Sequence, residues 1–459
     1  MAKQTMIQAR PAMASTAVSP HGRSIFRNRP FMTLWAAQFV SQTAQQAIWF
    51  GMIVVVEQVS QSSAHLSAAI LSTIIPGILF GLFAGVVVDR SNKKAVLVTT
   101  NFLRAATVLG YLLYHWSLYA VYGINFLFVA ISQFFGPAEA STIPALVPRR
   151  DLVTANSLFN LTFTISQLVG IVLLAPWVIK FFGAPALFIT VAGIYVVAGI
   201  LTSLLPPGIP PERGLGTLRR DTVISVIRSE VLEAWRFIRF DRRTWWAMIF
   251  VTMASTLMLI LAMLAPRYVV VIIGIQPEDA VYLFAPAGIA IFLMTVSMDR
   301  LVRRVGEMPL AYGGGIISSA ALVGLAVIPR LIGPARQAAR SLLPGVASPP
   351  GGWTIVPVLM ALSAAIGVGF ALCTIPCQSV LMERAPVQSR GRIFSVLLMM
   401  GNVAAIVPLA FLGEIADLIG VSMVLGLVGV ATMAITLFGL REWQAVTGVP
   451  QREVELPLS

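Results

Sequence analysis

Two opposite charges stand inside otherwise apolar sequence: Arg104 within NFLRAATVLG and Glu139 within FFGPAEASTIPAL. Ionised groups in a lipid-like environment are costly unless paired, so such residues point to proton handling or to a pair that holds helices together. An acid whose basic neighbour came and went would bind and release a proton. A permanent pair would only neutralise two charges, and both readings stay open. A second set is uncharged. Gln38, Gln42, Gln45 and Gln46, followed by Trp49, recur at three- and four-residue intervals and draw a polar stripe along an apolar helix. Such a stripe faces either another helix or water. A third set lies in and just before GLFAGVVVDRSNKK, residues 81–94: Gly77, Gly81 and Gly85 fall on one helix face that ends in Asp89, Arg90, Lys93 and Lys94. Small residues at this spacing let another backbone approach closely. A weaker copy of the charged end, VSMDRLVRR, contains Asp299, Arg300, Arg303 and Arg304.

The elements that must position these residues are membrane spans. The chain of 459 residues is 57% hydrophobic and 11% charged, with a mean hydropathy of +0.85, which leaves too little polar surface to cover a soluble globule. A span needs about 20 apolar residues. Twelve such stretches begin near residues 31, 66, 95, 119, 152, 186, 245, 280, 309, 354, 392 and 421, predicting an all-α membrane protein. Threading them places both termini and 26 of the 32 basic residues on one side. The positive-inside rule makes that side cytoplasmic and the protein a multi-pass protein of the cell (inner) membrane, and it explains the net charge of +13 without a nucleic-acid partner. Residues 1–24 form a polar tail with no apolar core before a cleavage site, so the first span is expected to serve as the targeting signal. Cys373 and Cys377 share one apolar span and read as packing residues, since a structural zinc site wants four ligands. There is no P-loop, nucleotide-binding glycine fingerprint or HExxH, and His21, His65 and His115 sit in a tail or at span ends. No metal or cofactor is expected, and transport would draw on an ion gradient or be passive.

The break from Pro206 to Arg243 opens with PPGIPPERG, which cannot continue a helix, and divides six spans from six. Its second half places Ile224, Ile227, Val231, Trp235 and Ile238 at helical spacing beside arginines, predicting an amphipathic helix on the inner membrane surface. An offset of 237 maps Gly183 onto Gly420 and PRRDLVTAN onto APVQSRGRI, as two related halves would. The expected units are a disordered cytoplasmic tail (1–24), a six-helix bundle (25–205), the linker (206–243), a second bundle (244–441) and a cytoplasmic tail (442–459). An outer loop rich in Pro, Gly and Arg is expected over residues 330–353.

Six plus six spans, a long basic central segment and Gly-x-x-x-Asp-Arg-x-x-Lys-Lys after the second span resemble the major facilitator superfamily over residues 25–443. Within it, residues 134–158 (FFGPAEASTIPALVPRRDLVTANSL) and 233–242 (EAWRFIRFDR) look like the twelve-helix multidrug, macrolide-efflux and siderophore-exporter branch, whose members are drug:proton antiporters. The pattern departs at Asn92, where glycine is usual and where asparagine is expected to enter a left-handed turn. It departs again in the fourth span, which lacks an arginine, and at Gly170-Ile171, where Gly-Pro is usual.

The resemblance implies two pseudo-symmetric bundles that rock about a mid-membrane cavity. It implies a cytoplasmic latch in which the glycine face, Asp89 and Arg90 close against the eleventh helix near Arg390, with Asp299 and Arg300 as the second copy. It implies a cavity lined by the first, fourth, seventh and tenth helices. That assigns substrate contact to Gln38, Gln42, Gln45, Trp49, Gln133, Thr252, Ser255, Met258 and Gln378, and proton coupling to Glu139 with Arg104. Glu57, Glu414 and Asp417 lie near outer span ends and rank lower. Amides and hydroxyls among plentiful Phe, Trp and Met suit a bulky amphiphile better than a sugar. The expected function is secondary active, proton-coupled efflux of small amphiphilic compounds. A proton symporter or facilitator that imports a nutrient is the first alternative, and a transport-dead receptor or assembly partner with the same fold is the second.

Overall fold

The structure, a computed structural model, describes residues 25–148, 151–206, 242–342, 355–384 and 390–447. The expected amphipathic helix and both tail segments up to Ser24 and beyond Thr447 lie outside these residues. Twelve helices long and apolar enough to cross a membrane account for nearly all of it, and no strand occurs among the described residues. They are α1 (Arg29–Ser60), α2 (Ser63–Asp89), α3 (Lys93–Gly110), α4 (Leu118–Leu146), α5 (Leu152–Leu168, continuing through Val169–Leu174 into Ala175–Phe182) and α6 (Ala184–Ser203). The second six are α7 (Arg242–Tyr268), α8 (Val281–Val305), α9 (Glu307–Leu342), α10 (Val356–Arg384), α11 (Arg390–Ile419) and α12 (Val421–Thr447). The twelve starts fall within a few residues of those expected from hydropathy.

Local sequence explains where these helices begin and end. The Asn28 side chain accepts a hydrogen bond from the Phe31 amide at 3.2 Å and caps α1, with Pro30 in the first turn where its missing donor is harmless. Gly183 and Gly420, matched by the offset of 237, both take positive φ (82° and 90°) at the α5–α6 and α11–α12 junctions. That left-handed half of the map is cheap only for glycine, so the repeat in sequence is a repeat in backbone geometry.

Three expectations change. Asn92 does not enter a left-handed turn: at φ −67° it is the extended N-cap of α3, its side chain accepting from the Ala95 amide at 3.2 Å. Asparagine suits this position because it caps. Asp299 and Arg300 do not stand at a helix end as Asp89 and Arg90 do. They lie inside α8, which runs on to Val305 because nothing before Gly306 (φ 88°) stops it. Residues 330–342 continue α9 as helix instead of forming an outer loop, and residues 343–354 lie outside the described set.

Within the first six helices α1 packs on α5 and α6, α2 on α4, and α3 on α4 and α6. In the second six, α10 packs on α7, α8 and α9, and α9 on α12. One close approach uses Gly170, which sits in the π-helical stretch Val169–Leu174 of α5. A Cβ there would lie 2.6 Å from the Thr43 carbonyl oxygen and 2.6 Å from Gln46 Cβ of α1. Gly170→Ala is therefore expected to lower stability by about 1–3 kcal/mol, read as a drop in the melting temperature in detergent; an unchanged melt would mean that the π segment yields freely.

Candidate transport site and gates

The end of the molecule that carries Asp89 to Lys94 is here the basic end, and the opposite one the far end. At the far end, several hydrogen bonds and ion pairs join α1–α6 to α7–α12. Arg267 of α7 donates from Nη1 to Glu57 Oε1 of α1 at 3.2 Å, and Glu57 is 1% exposed. Lys180 of α5 meets Asp279, just before α8, at 3.0 Å. Asp417, near the end of α11, accepts from the Ser62 hydroxyl at 2.6 Å and from the Ser63 and Ala64 amides at 2.8 and 3.1 Å. A carboxylate over the first turn of a helix is worth about 0.3–1 kcal/mol at an exposed site. One turn on, the Ser67 hydroxyl donates to the Leu409 carbonyl. Gly413 of α11 lies so close to the Ser63 carbonyl and Ala64 that a Cβ would meet them at 2.7 and 2.9 Å. Beneath this seal, Trp49 and Phe50 of α1 set their rings edge-on to Phe284 of α8 at 6.3 and 5.8 Å. The far end is closed.

The sequence ranked Glu57 and Asp417 low and passed over Arg267, Lys180 and Asp279. A charge at a span end is ordinary, and only the packing shows which of them meet.

The basic end differs. Asp89 is exposed, and a Cβ on Gly85 would meet nothing within 4 Å. Among the described residues the glycine stripe faces α4. Gly77 and Gly81 face Gln133 of α4, whose amide atoms would stand 3.7 and 3.6 Å from a Cβ on each. α2 meets α11 instead through its far half, from Ser63 to Ser67, because the seal draws the two helices together at that end. The side chains of residues 390–400, where the latch was expected, lie outside the described residues. Lys93 is buried, and Lys94 donates from Nζ to the Leu205 carbonyl at 2.5 Å, tying the start of α3 to the chain after α6. Asp299 and Arg300 are both exposed.

Of the nine residues expected to contact substrate, Thr252 and Met258 line two different cavities among the described residues. Gln42, Gln45 and Trp49 share a half-buried face of α1, whereas Gln38 is 4% exposed and Gln46 packs against Gly170. Thr252 lines a 690 Å³ apolar groove between α7, α11 and α12, with Met248, Thr256, Phe411 and Thr432 among its other walls. Met258 lines a separate small cavity with Phe284 and Ser363. Six residues apart on a helix of 3.6 per turn, Thr252 and Met258 point to different faces. Ser255 and Gln378 are half-buried.

Arg104 and Glu139 reach one buried neighbourhood, at 3% and 7% exposure, without forming an ion pair. Arg104 donates from Nη1 to Ser41 Oγ of α1 at 3.3 Å and from Nη2 to the Ser132 carbonyl of α4 at 3.1 Å. Its guanidinium lies over the rings of Phe135 and Tyr195, 4.5 and 5.7 Å from their centroids. Cys373 and Cys377 are buried in α10, and Cys373 donates to the Ala311 carbonyl at 3.3 Å.

Two six-helix halves sealed to each other at one end are the architecture of a membrane transporter that exposes its interior alternately. The family model of the Major Facilitator Superfamily matches residues 34–407, and the chain belongs to that family. It is a multi-pass secondary transporter. An uncharacterized MFS-type transporter of Bacillus subtilis, YfiS, is 23% identical over 91% of this chain and 94% of its own length. Macrolide efflux protein A of Streptococcus pyogenes is 28% identical over 155 residues, 32% of this chain and 38% of that one. Among solved structures, the nucleoside transporter NupG superposes with a TM-score of 0.68 at 15% identity, over 90% of this chain and 99% of the other.

Proposed function

We propose that this protein exports small amphiphilic compounds in exchange for protons by rocking its two bundles, with the basic end in the cytoplasm. The observation that carries the reading is Glu139: a buried acid in α4 with no ion-pair partner among the described residues, seven residues inside the end of that helix, about 10 Å at 1.5 Å per residue. An acid kept in such a place at the cost of its desolvation is a functional hypothesis by default in a membrane protein. The partial match to macrolide efflux protein A supports the export direction. The charge bias of the termini and loops supports the orientation. In this reading the far-end seal is the outer gate, drawn in its closed state. Asp89 and Arg90 belong to an inner gate that closes when the far end opens. Gln42, Gln45 and Trp49 face the substrate, with Gln133 and Thr252 at the margins.

The test uses purified protein in liposomes with a pH gradient of either sign and a panel of dyes and macrolides. Substrate-driven proton movement opposite to the substrate establishes exchange. Glu139→Gln is expected to cut uphill export at least about a hundredfold, the low end of what loss of a proton-transferring group removes, while downhill exchange persists. Unchanged uphill export in Glu139→Gln removes this acid from the mechanism. Movement of substrate together with the proton would instead assign import.

A further inference from the structure

Arg104 marks one layer across the first bundle. Its hydrogen bonds to Ser41 and Ser132 and its contacts with Phe135 and Tyr195 bring α1, α3, α4 and α6 to one depth. Gln38 precedes Ser41 by three residues, Asn101 precedes Arg104 by three, and Glu139 follows Phe135 by four. α1 and α3 start at the basic end and α4 runs toward it. All three side chains therefore sit one helical turn nearer the basic end, on the faces that already meet around Arg104.

These groups are buried and unpartnered. Among the described residues, Gln38 Oε1, both amide atoms of Asn101 and Glu139 Oε1 have no hydrogen-bond partner, nor do Arg104 Nε and the Tyr195 hydroxyl in the layer above. Trp35 Nε1, a turn below on α1, is in the same position. Asn101 is 0% exposed. The contrast with Asn125 is instructive. It lies in the far half of the same bundle, accepts from the Tyr111 hydroxyl at 2.7 Å, and donates to Ser72 and Thr73 at 2.7 and 2.8 Å. Buried polar groups in native proteins are satisfied by protein or by ordered water. Here donors (Arg104, Asn101, Trp35, Tyr195) and acceptors (Gln38, Asn101, Glu139) are mixed. That mixture suits water, which donates and accepts, and the guanidinium disfavours a metal cation.

We propose that Gln38, Asn101 and Glu139 enclose a buried water-holding proton site, in which the protonated Glu139 carboxyl donates its one proton to this water or to one of the two amide oxygens. The proposal rests on the exchange reading above and changes how it works. Arg104 and Glu139 belong to one bundle, and Arg104 is tied to α1 and α4 of that bundle, so rocking the bundles does not pull the two charges apart. The proton comes and goes through water that reaches the site when the seam of α1 and α4 is open to the central cavity. One proton enters from that water as the carboxylate becomes an acid, and one returns to it on release. Among the described residues the charged group that acts on Glu139 is Arg104 from α3, and Tyr195 of α6 lies beside that guanidinium.

The experiment is infrared difference spectroscopy on the purified full-length protein across the neutral pH range, with Glu139→Gln to assign the carboxyl band. The expected result is a protonated-carboxyl band in the wild type that shifts in heavy water and moves to higher frequency in Gln38→Met and in Asn101→Leu. The same two variants lose proton-coupled export about tenfold, the worth of one hydrogen bond to a charged group, with dye affinity changed no more than about twofold. Gln38→Met keeps the volume of the side chain, so it reports even where Asn101→Leu fails to fold. Absence of the band at every pH, or a band that neither variant moves, overturns the proposal whatever transport shows. A band that both variants move, together with unaltered coupling in Glu139→Gln, keeps the water site and rejects the exchange reading instead.

Discussion

Gly413→Leu is expected to abolish transport while the protein still folds. The glycine rests on the Ser63 carbonyl and Ala64 backbone of α2, at distances a Cβ would reduce to 2.7 and 2.9 Å. Neither contact is the end of a flexible side chain, so α2 and α11 must move apart and take Asp417 away from Ser62 and Ser63. Forcing bulk into a packed contact costs about 1–3 kcal/mol or more. The clash exists only when the far end is closed, so this cost falls on one state and shifts the ratio of closed to open by roughly five- to 150-fold. Spin labels at the exposed residues Val59 and Leu418, beside the seal on α1 and α11, read the change as a longer distance. The native cysteines are buried and stay out of the labelling. Wild-type distances and wild-type transport in Gly413→Leu would show that the seal does not gate.

Arg104→Met should have the largest effect on stability of any single change in the first bundle. It removes two hydrogen bonds and a cation stacked on Phe135 at 4.5 Å, and it leaves Glu139 in the core with no positive neighbour. Each hydrogen bond to a charged group is worth about 1.5–3 kcal/mol, so losing two is enough to empty the folded state of a marginally stable protein. The diagnostic measurement is the cycle with Glu139→Gln. Because the two groups interact through their charges without touching, the double variant should recover about 0.5–3 kcal/mol of the loss, read from melting in detergent. Strict additivity would mean that Arg104 serves only its bonds to Ser41 and Ser132.

Much of this architecture is legible in the chain. In a bilayer every backbone polar group must be satisfied within its own helix, so span count and span ends follow from hydropathy and caps. Gly183 and Gly420 announce two matched helix junctions because no other residue takes those φ values cheaply. Arg104 and Glu139 stand out because charge inside a span is rare, and both prove to be buried in one region. The facing of the helices was less legible. Leu79 and Val407 are as apolar as Phe31 and Leu34, yet the first two are 60% and 62% exposed and the last two fully buried. Lipid and protein interior are equally apolar solvents, so an apolar residue does not say which of them it meets. For the same reason the glycine stripe of α2 gave its spacing but not its neighbour, Gln133.

The sequence by itself determined twelve spans in two sets of six, the bias of charge to one side, and the pair of ionisable residues committed to the membrane. Only the tertiary structure decided that Glu57 meets Arg267 across 210 residues and that Asp417 caps a helix 355 residues before it. The physical reason is range. Hydropathy, capping and positive φ are fixed by a residue and its near neighbours, whereas the meeting of two helix ends depends on how both bundles pack and on which gate is shut.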